Sequence, residues 1–143
     1  MKKKIIGRLD KAHFPELDLY DISIKIDTGA YTSSIHCENI VEKEDGLHCI
    51  FLDKEHPEYN QKPFIFKEYN KIKVKSSNGI AQSRYEIKSK IELFGKVYKI
   101  SLSLSNRKEM KYPVLLGRKF LNKKFIVDPE LKDLSHNTQN HEH

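Results

Sequence analysis

Isoleucines at positions 22, 24 and 26 alternate with polar residues, the period-two signature of a strand with one buried face. That pattern predicts a strand over residues 19–26. The same alternation recurs at residues 71–75, at Tyr85, Ile87, Ser89, Ile91 and Leu93, and at Tyr98, Ile100, Leu102 and Leu104. Shorter apolar runs predict strands over residues 3–9, 33–40, 47–52, 64–66, 114–117 and 125–127. Between them stand turn signals. Pro15 biases Phe14 away from helix, so residues 13–17 are expected to turn. Asn78-Gly79 is a strong hairpin signal, and Phe94-Gly95-Lys96 reverses the chain again. Only residues 118–123 have the composition of one or two helical turns. Many short strands with closely spaced turns and one small helix predict an all-β barrel or sandwich.

At 143 residues and 16.8 kDa the chain is expected to form one domain over residues 1–133. Residues 134–143 are polar, contain His136, His141 and His143, and are expected to be a disordered tail. There is no apolar run of membrane-spanning length and no signal-peptide pattern after Met1-Lys2-Lys3-Lys4. No membrane partner and a cytoplasmic location are therefore expected. The net charge of +6 raises nucleic acid as a partner. However, the lysines are scattered among Glu and Asp, and no aromatic-and-basic RNA-binding motif is present, so a solvated basic surface is the expectation. Two cysteines, Cys37 and Cys49, cannot make a disulfide framework and are expected reduced. They form matching pairs, His36-Cys37 and His48-Cys49, with ligand types that suit zinc. Adjacent strand residues point to opposite faces, which argues against their converging on one ion.

The candidate chemistry lies where the strand over residues 19–26 ends. It runs directly into Asp27-Thr28-Gly29-Ala30, followed by hydroxyls at Thr32, Ser33 and Ser34. Asp-Thr-Gly by itself is also the composition of a strand-end turn in which the Asp caps backbone amides. A second element changes that balance: Val114-Leu115-Leu116-Gly117-Arg118, an apolar strand ended by glycine just before the short helix.

In this combination the chain resembles the retropepsin-like aspartic proteases. There an apolar strand carries Asp-Thr/Ser-Gly-Ala, a hairpin flap follows, and an apolar-apolar-Gly-Arg segment enters a C-terminal helix. It is more closely similar to a bacterial branch named for ATP-dependent zinc proteases, encoded near ATP-grasp ligases that add glutamate to a ribosomal protein. The shared pieces are Ile6-Gly7-Arg8, Leu17, Lys25 to Ala30, Thr32-Ser33-Ser34, Val74 to Gly79 and Tyr112 to Leu121, within residues 3–130. The residues do not carry that branch name. The chain has no His-Glu-x-x-His for catalytic zinc and no phosphate-binding Gly-rich Lys-Ser/Thr loop for ATP, so no cofactor and no metal are expected.

The resemblance implies a closed or partly open β-barrel with one short C-terminal helix. It also implies an aspartic-type endopeptidase. A water is activated by two carboxylates that share one proton, since like charges that close cannot both ionise. One Asp-Thr-Gly supplies half of that pair, so the resemblance demands a homodimer with Asp27 from each subunit at the two-fold axis. Thr28, Gly29, Ala30, Thr32 and Ser33 would support the catalytic loop. Ser76, Ser77, Asn78 and Gly79 would form the flap, and Gly117 and Arg118 would brace the loop and dimer, with Arg118 paired to an acid across the interface. Arg84 and Lys75 beside the flap suit an acidic peptide or protein substrate and equally suit plain solvated charge. The competing function is a non-catalytic peptide- or protein-binding module of the same fold in a ribosomal-protein modification system.

Overall fold

The computed structural model describes residues 2–75, 79–106 and 111–141. Eleven strands and two helices appear in the order β1 (Lys4–Ile6), β2 (Leu9–Phe14), β3 (Leu19–Ile26), β4 (Ser33–Lys43), β5 (Gly46–Phe51), β6 (Pro63–Phe66), β7 (Asn70–Lys75), β8 (Ala81–Leu93), β9 (Lys96–Ser105), β10 (Val114–Leu116), α1 (Arg118–Leu121), β11 (Phe125–Val127) and α2 (Leu134–His141). A 3-10 turn at Pro15–Leu17 joins β2 to β3.

Pairing runs β10-β3-β2-β8-β9-β4, and β10 also pairs β4, so six strands close into a barrel. The all-β barrel expected from the strand pattern is the observed fold. β5 and β6 extend the sheet from β4, and β7 adds to β8. The alternating isoleucines explain why β3 belongs in the wall: Ile22 and Ile24 are fully buried and Ile26 nearly so. They meet Ile35, Ile87, Ile91, Leu102, Val114 and Leu116 from the other strands in one core. Each such side chain contributes about 1.5–3 kcal/mol by leaving water. The β8–β9 hairpin turns at Phe94 (φ 54°) and Gly95 (φ 71°), the doubly positive pair that matches strand twist in a two-residue turn.

Three sequence expectations need correction. The predicted first strand over residues 3–9 is two strands. It breaks at Gly7, where a Cβ would lie 2.1 Å from the Leu131 carbonyl oxygen, and the chain crosses there from the β1–β11 pair into the barrel. His13 and Phe14, expected in a turn, finish β2, with Phe14 fully buried. Finally, the polar segment after residue 133, expected to be disordered, is helical over Leu134–His141, giving a second helix. Its start is held from far away in sequence: the buried Asp10 carboxylate accepts the N–H groups of Ser135 (2.9 Å) and His136 (3.1 Å). The proposed flap residues Ser76, Ser77 and Asn78 lie outside the described residues. Their flanking strands β7 and β8 pair antiparallel from Asn70↔Glu86 to Lys75↔Ala81. Among the described residues, no helix is long and apolar enough to cross a membrane.

Candidate active site

Asp27 is the first residue beyond β3, and its position is set by β10. That strand lies parallel to β3 (Val114↔Ile24, Leu116↔Ile26) and antiparallel to β4 (Val114↔Ile35), and so fills the space between the two arms of the loop. The Asp27 N–H donates to the Leu116 carbonyl at 2.9 Å, which extends the ladder by one residue. The loop then closes on itself. Ala30 N–H donates to the Asp27 carbonyl (3.2 Å), and Gly29 N–H donates to the Asp27 side-chain Oδ1 (3.1 Å). Asp27 is thus half-buried with one carboxylate oxygen oriented by backbone, as a pre-positioned acid requires.

The two motifs singled out in the sequence are brought together. Gly117 packs against the loop so closely that a Cβ would lie 2.6 Å from the carbonyl oxygens of both Tyr31 and Thr32. Its N–H donates to the buried Ser33 hydroxyl at 3.0 Å. Arg118 N–H donates to the Ala30 carbonyl and Lys119 N–H to the Tyr31 carbonyl, both at 2.9 Å. The start of α1 therefore hydrogen-bonds the loop's outgoing arm. The Arg118 guanidinium crosses to the other side of the loop, donating to the Thr28 carbonyl at 2.9 Å while lying over the Tyr31 ring. Within one chain Arg118 thus braces the loop itself. Tyr31 supplies a ring for that guanidinium. Ser33 holds Gly117 against the loop. Thr28 is exposed, and Thr32 lies in the segment against which Gly117 packs. Gly79 is described, at φ 83°, on the β8 side of the flap position.

A cleft of about 520 Å³ opens beside this loop. Thr32, Ser33 and Lys119 form one wall, and Lys88, Lys90 and Lys99 from β8 and β9 form another, with Glu16 and Glu86 also present. Asp27 is not on its walls. Lys90 and Lys99 are direct cross-strand partners, a like-charge pairing that a sheet tolerates at a cost.

The four residues considered for zinc do not converge. His48 Nε2 bonds Asp45 at 2.6 Å, and Cys37 and Cys49 are free thiols buried in the core. The hydrogen bond to Cys49, with burial, pushes the Cys37 thiol well above its usual range. His36 faces another way, with Nε2 2.7 Å from Asp53 Oδ2. Sequence reading placed Asp53 and His56 outside any predicted element and missed this cluster. Only the short Asp-x-x-His spacing hinted at it.

Among curated proteins, the chain is 39% identical over 132 residues to a probable alpha-L-glutamate ligase of Shewanella pealeana, covering 89% of this chain and 29% of that protein. It is 37% identical over 138 residues to a protein of the same name from Desulfotalea psychrophila, covering 91% of this chain and 29% of the relative. The chain therefore spans less than a third of the length of the curated relatives it matches. A crystal structure of a protein of unknown function from Legionella pneumophila superposes with a TM-score of 0.70 at 29% identity, covering 94% of this chain and 99% of that one. The strand-borne Asp27 loop and the Gly117–Arg118 brace agree with the family whose model matches residues 5–138: the chain belongs to the RimB-like family, described as retropepsin-like aspartic endopeptidase RimB.

Proposed function

We propose that this chain is an aspartic-type endopeptidase that works as a homodimer, in the cytoplasm, on acidic peptide or protein substrates. The observation that carries the reading is the Asp27 loop. A carboxylate sits at a strand end, oriented by Gly29 N–H and clamped by Gly117 and Arg118. That much rigidity around one half-buried acid is more than a strand-end turn requires. A second Asp27 across a two-fold axis would complete a pair sharing one proton. The protonated member then donates to the scissile carbonyl while the ionised one takes a proton from the attacking water. Gly29 lets the two loops approach, Thr28 bonds across the axis, and the paired strands β7 and β8 carry the flap that closes over the peptide.

Two observations support the acidic substrate. Lysines at 88, 90, 99 and 119 line the cleft beside the loop. The curated relatives, much longer than this chain, are named as probable glutamate ligases. Those names support a functional link to an ATP-grasp ligase. They equally favour the second reading, a module of this fold that binds such a substrate without cutting it.

The test is cleavage of a glutamate-rich peptide and of a neutral peptide by the pure protein and by Asp27→Asn. Loss of cleavage in the folded variant is expected. Equal cleavage by the variant overturns the peptidase reading, whereas unchanged peptide binding with no cleavage by either protein supports the binding module.

A further inference from the structure

The cluster three residues along β4 from Ser33, on the strand that leaves the Asp27 loop, is built like a metal site. His36 is buried on β4, at 2% exposure, and Asp53 is buried, at 3%, just beyond β5. The chain brings them together by a reversal at Leu52, whose φ of 67° is unusual for a bulky residue and whose N–H donates to the His36 carbonyl at 3.0 Å. A turn then folds His56 back over Asp53: His56 N–H donates to the Asp53 carbonyl at 3.0 Å, and Glu55 N–H donates to Asp53 Oδ1 at 2.9 Å. His56 Nε2 lies 4.0 Å from Asp53 Oδ1. One ligand atom from each of His36, Asp53 and His56 falls within 4.8 Å of the others. A tetrahedral zinc with bonds of about 2.0–2.1 Å needs ligand atoms roughly 3.3 Å apart, so small side-chain rotations suffice.

His36 Nδ1 lies 3.3 Å from the Ser105 carbonyl, which can only accept, so a proton on Nδ1 suits that contact. That leaves Nε2 as the ligand atom, aimed at Asp53 and His56. A histidine whose remote N–H donates to a backbone carbonyl is the usual outer-shell arrangement of a metal ligand.

We propose that His36 Nε2, the Asp53 carboxylate and His56 Nε2 bind one zinc ion, with water in the fourth position. Any proton shared between His36 Nε2 and Asp53 Oδ2, which lie 2.7 Å apart, leaves to solvent as the ion binds. His56, with 13% of its side chain exposed, is the member through which zinc and water reach the site. The bound ion would staple the loop after β5 to β4, three residues beyond the Ser33 that anchors Gly117. This inference does not depend on the peptidase reading, because its readout is metal uptake.

Titrating the metal-free full chain with zinc chloride by calorimetry, alongside His56→Ala and His56→Gln, tests it. The expected result is one tight equivalent for the natural chain, weakened on the order of 100-fold or more in both variants. Zinc should also raise the melting temperature of the natural chain alone, by the linkage of binding to folding. In nitrogen-resolved imidazole spectra, zinc should move Nε2 of His36 and His56 while His36 Nδ1 keeps its proton. Uptake that is equal in all three proteins would assign the metal to other histidines, such as His136 or those at 141 and 143, and overturn the proposal. No uptake by the natural chain would overturn it as well.

Discussion

Asp27 and Gly117 fail differently when changed, and the difference separates chemistry from architecture. In Asp27→Asn the side-chain oxygen can still accept from Gly29 N–H, so stability should stay within about 0.5 kcal/mol of the natural chain while peptide cleavage is lost. Urea unfolding beside a cleavage assay checks both halves. A large loss of stability would mean that the carboxylate charge also holds the loop together. Gly117→Ala is predicted to do the reverse. Its methyl would lie 2.6 Å from two backbone carbonyl oxygens that cannot rotate away. The strain should cost about 1–3 kcal/mol in urea unfolding and displace the loop as well. The reason is closeness of approach: Gly117 has φ −96°, which any residue can adopt. A stable, fully active Gly117→Ala protein would show that the brace is dispensable.

At the scale of elements, α2 stands on Asp10. Asp10→Ala removes the acceptor for Ser135 and His136 N–H groups and should cost about 0.5–2 kcal/mol, the range of a lost N-cap. Hydrogen exchange at Ser135 and His136 should accelerate first. The same residue sets a pH dependence. Burial pushes the Asp10 carboxyl above its usual range and the Asp133 charge adds to this, while N–H groups of Ser135, Lys11 and His136 partly offset it. The folded state therefore takes up this proton before the unfolded state, whose Asp titrates near 3.9. Its contribution is full below that pH and is lost as pH rises through the folded value. Measured against Asp10→Asn, which cannot ionise, the natural chain should lose relative stability as pH is raised from about 3 and then level off. A difference that is flat with pH would show that burial does not perturb this acid.

For the whole molecule, the peptidase reading requires two copies. Cleavage per chain should fall on dilution below the dimer's dissociation constant, checked by sedimentation beside the assay. Mixing natural chain with Asp27→Asn should lower activity with the square of the natural fraction, since a mixed dimer holds one working acid. Activity that falls linearly instead, from a protein that sediments as a monomer, would mean each chain works alone.

Period-two patterning determined most of the wall. Buried isoleucines at 22, 24 and 26 can serve only a strand, so β3 and the strands like it were legible residue by residue. The candidate acid was legible too, because Asp-Thr-Gly-Ala and Leu-Leu-Gly-Arg are local spellings of a tight loop and its brace. What local spelling could not carry was anything made by long-range contact. The break at Gly7 exists because the chain passes Leu131, and α2 exists because a buried Asp10 meets amides 125 and 126 residues away. Isolated, that helix is too short and polar to hold itself. The sequence likewise paired His36 with Cys37, its neighbour, whereas the folded chain turns it toward Asp53 and His56. Composition and periodicity report which face of an element is buried. Which distant residue waits there is decided only when the barrel closes.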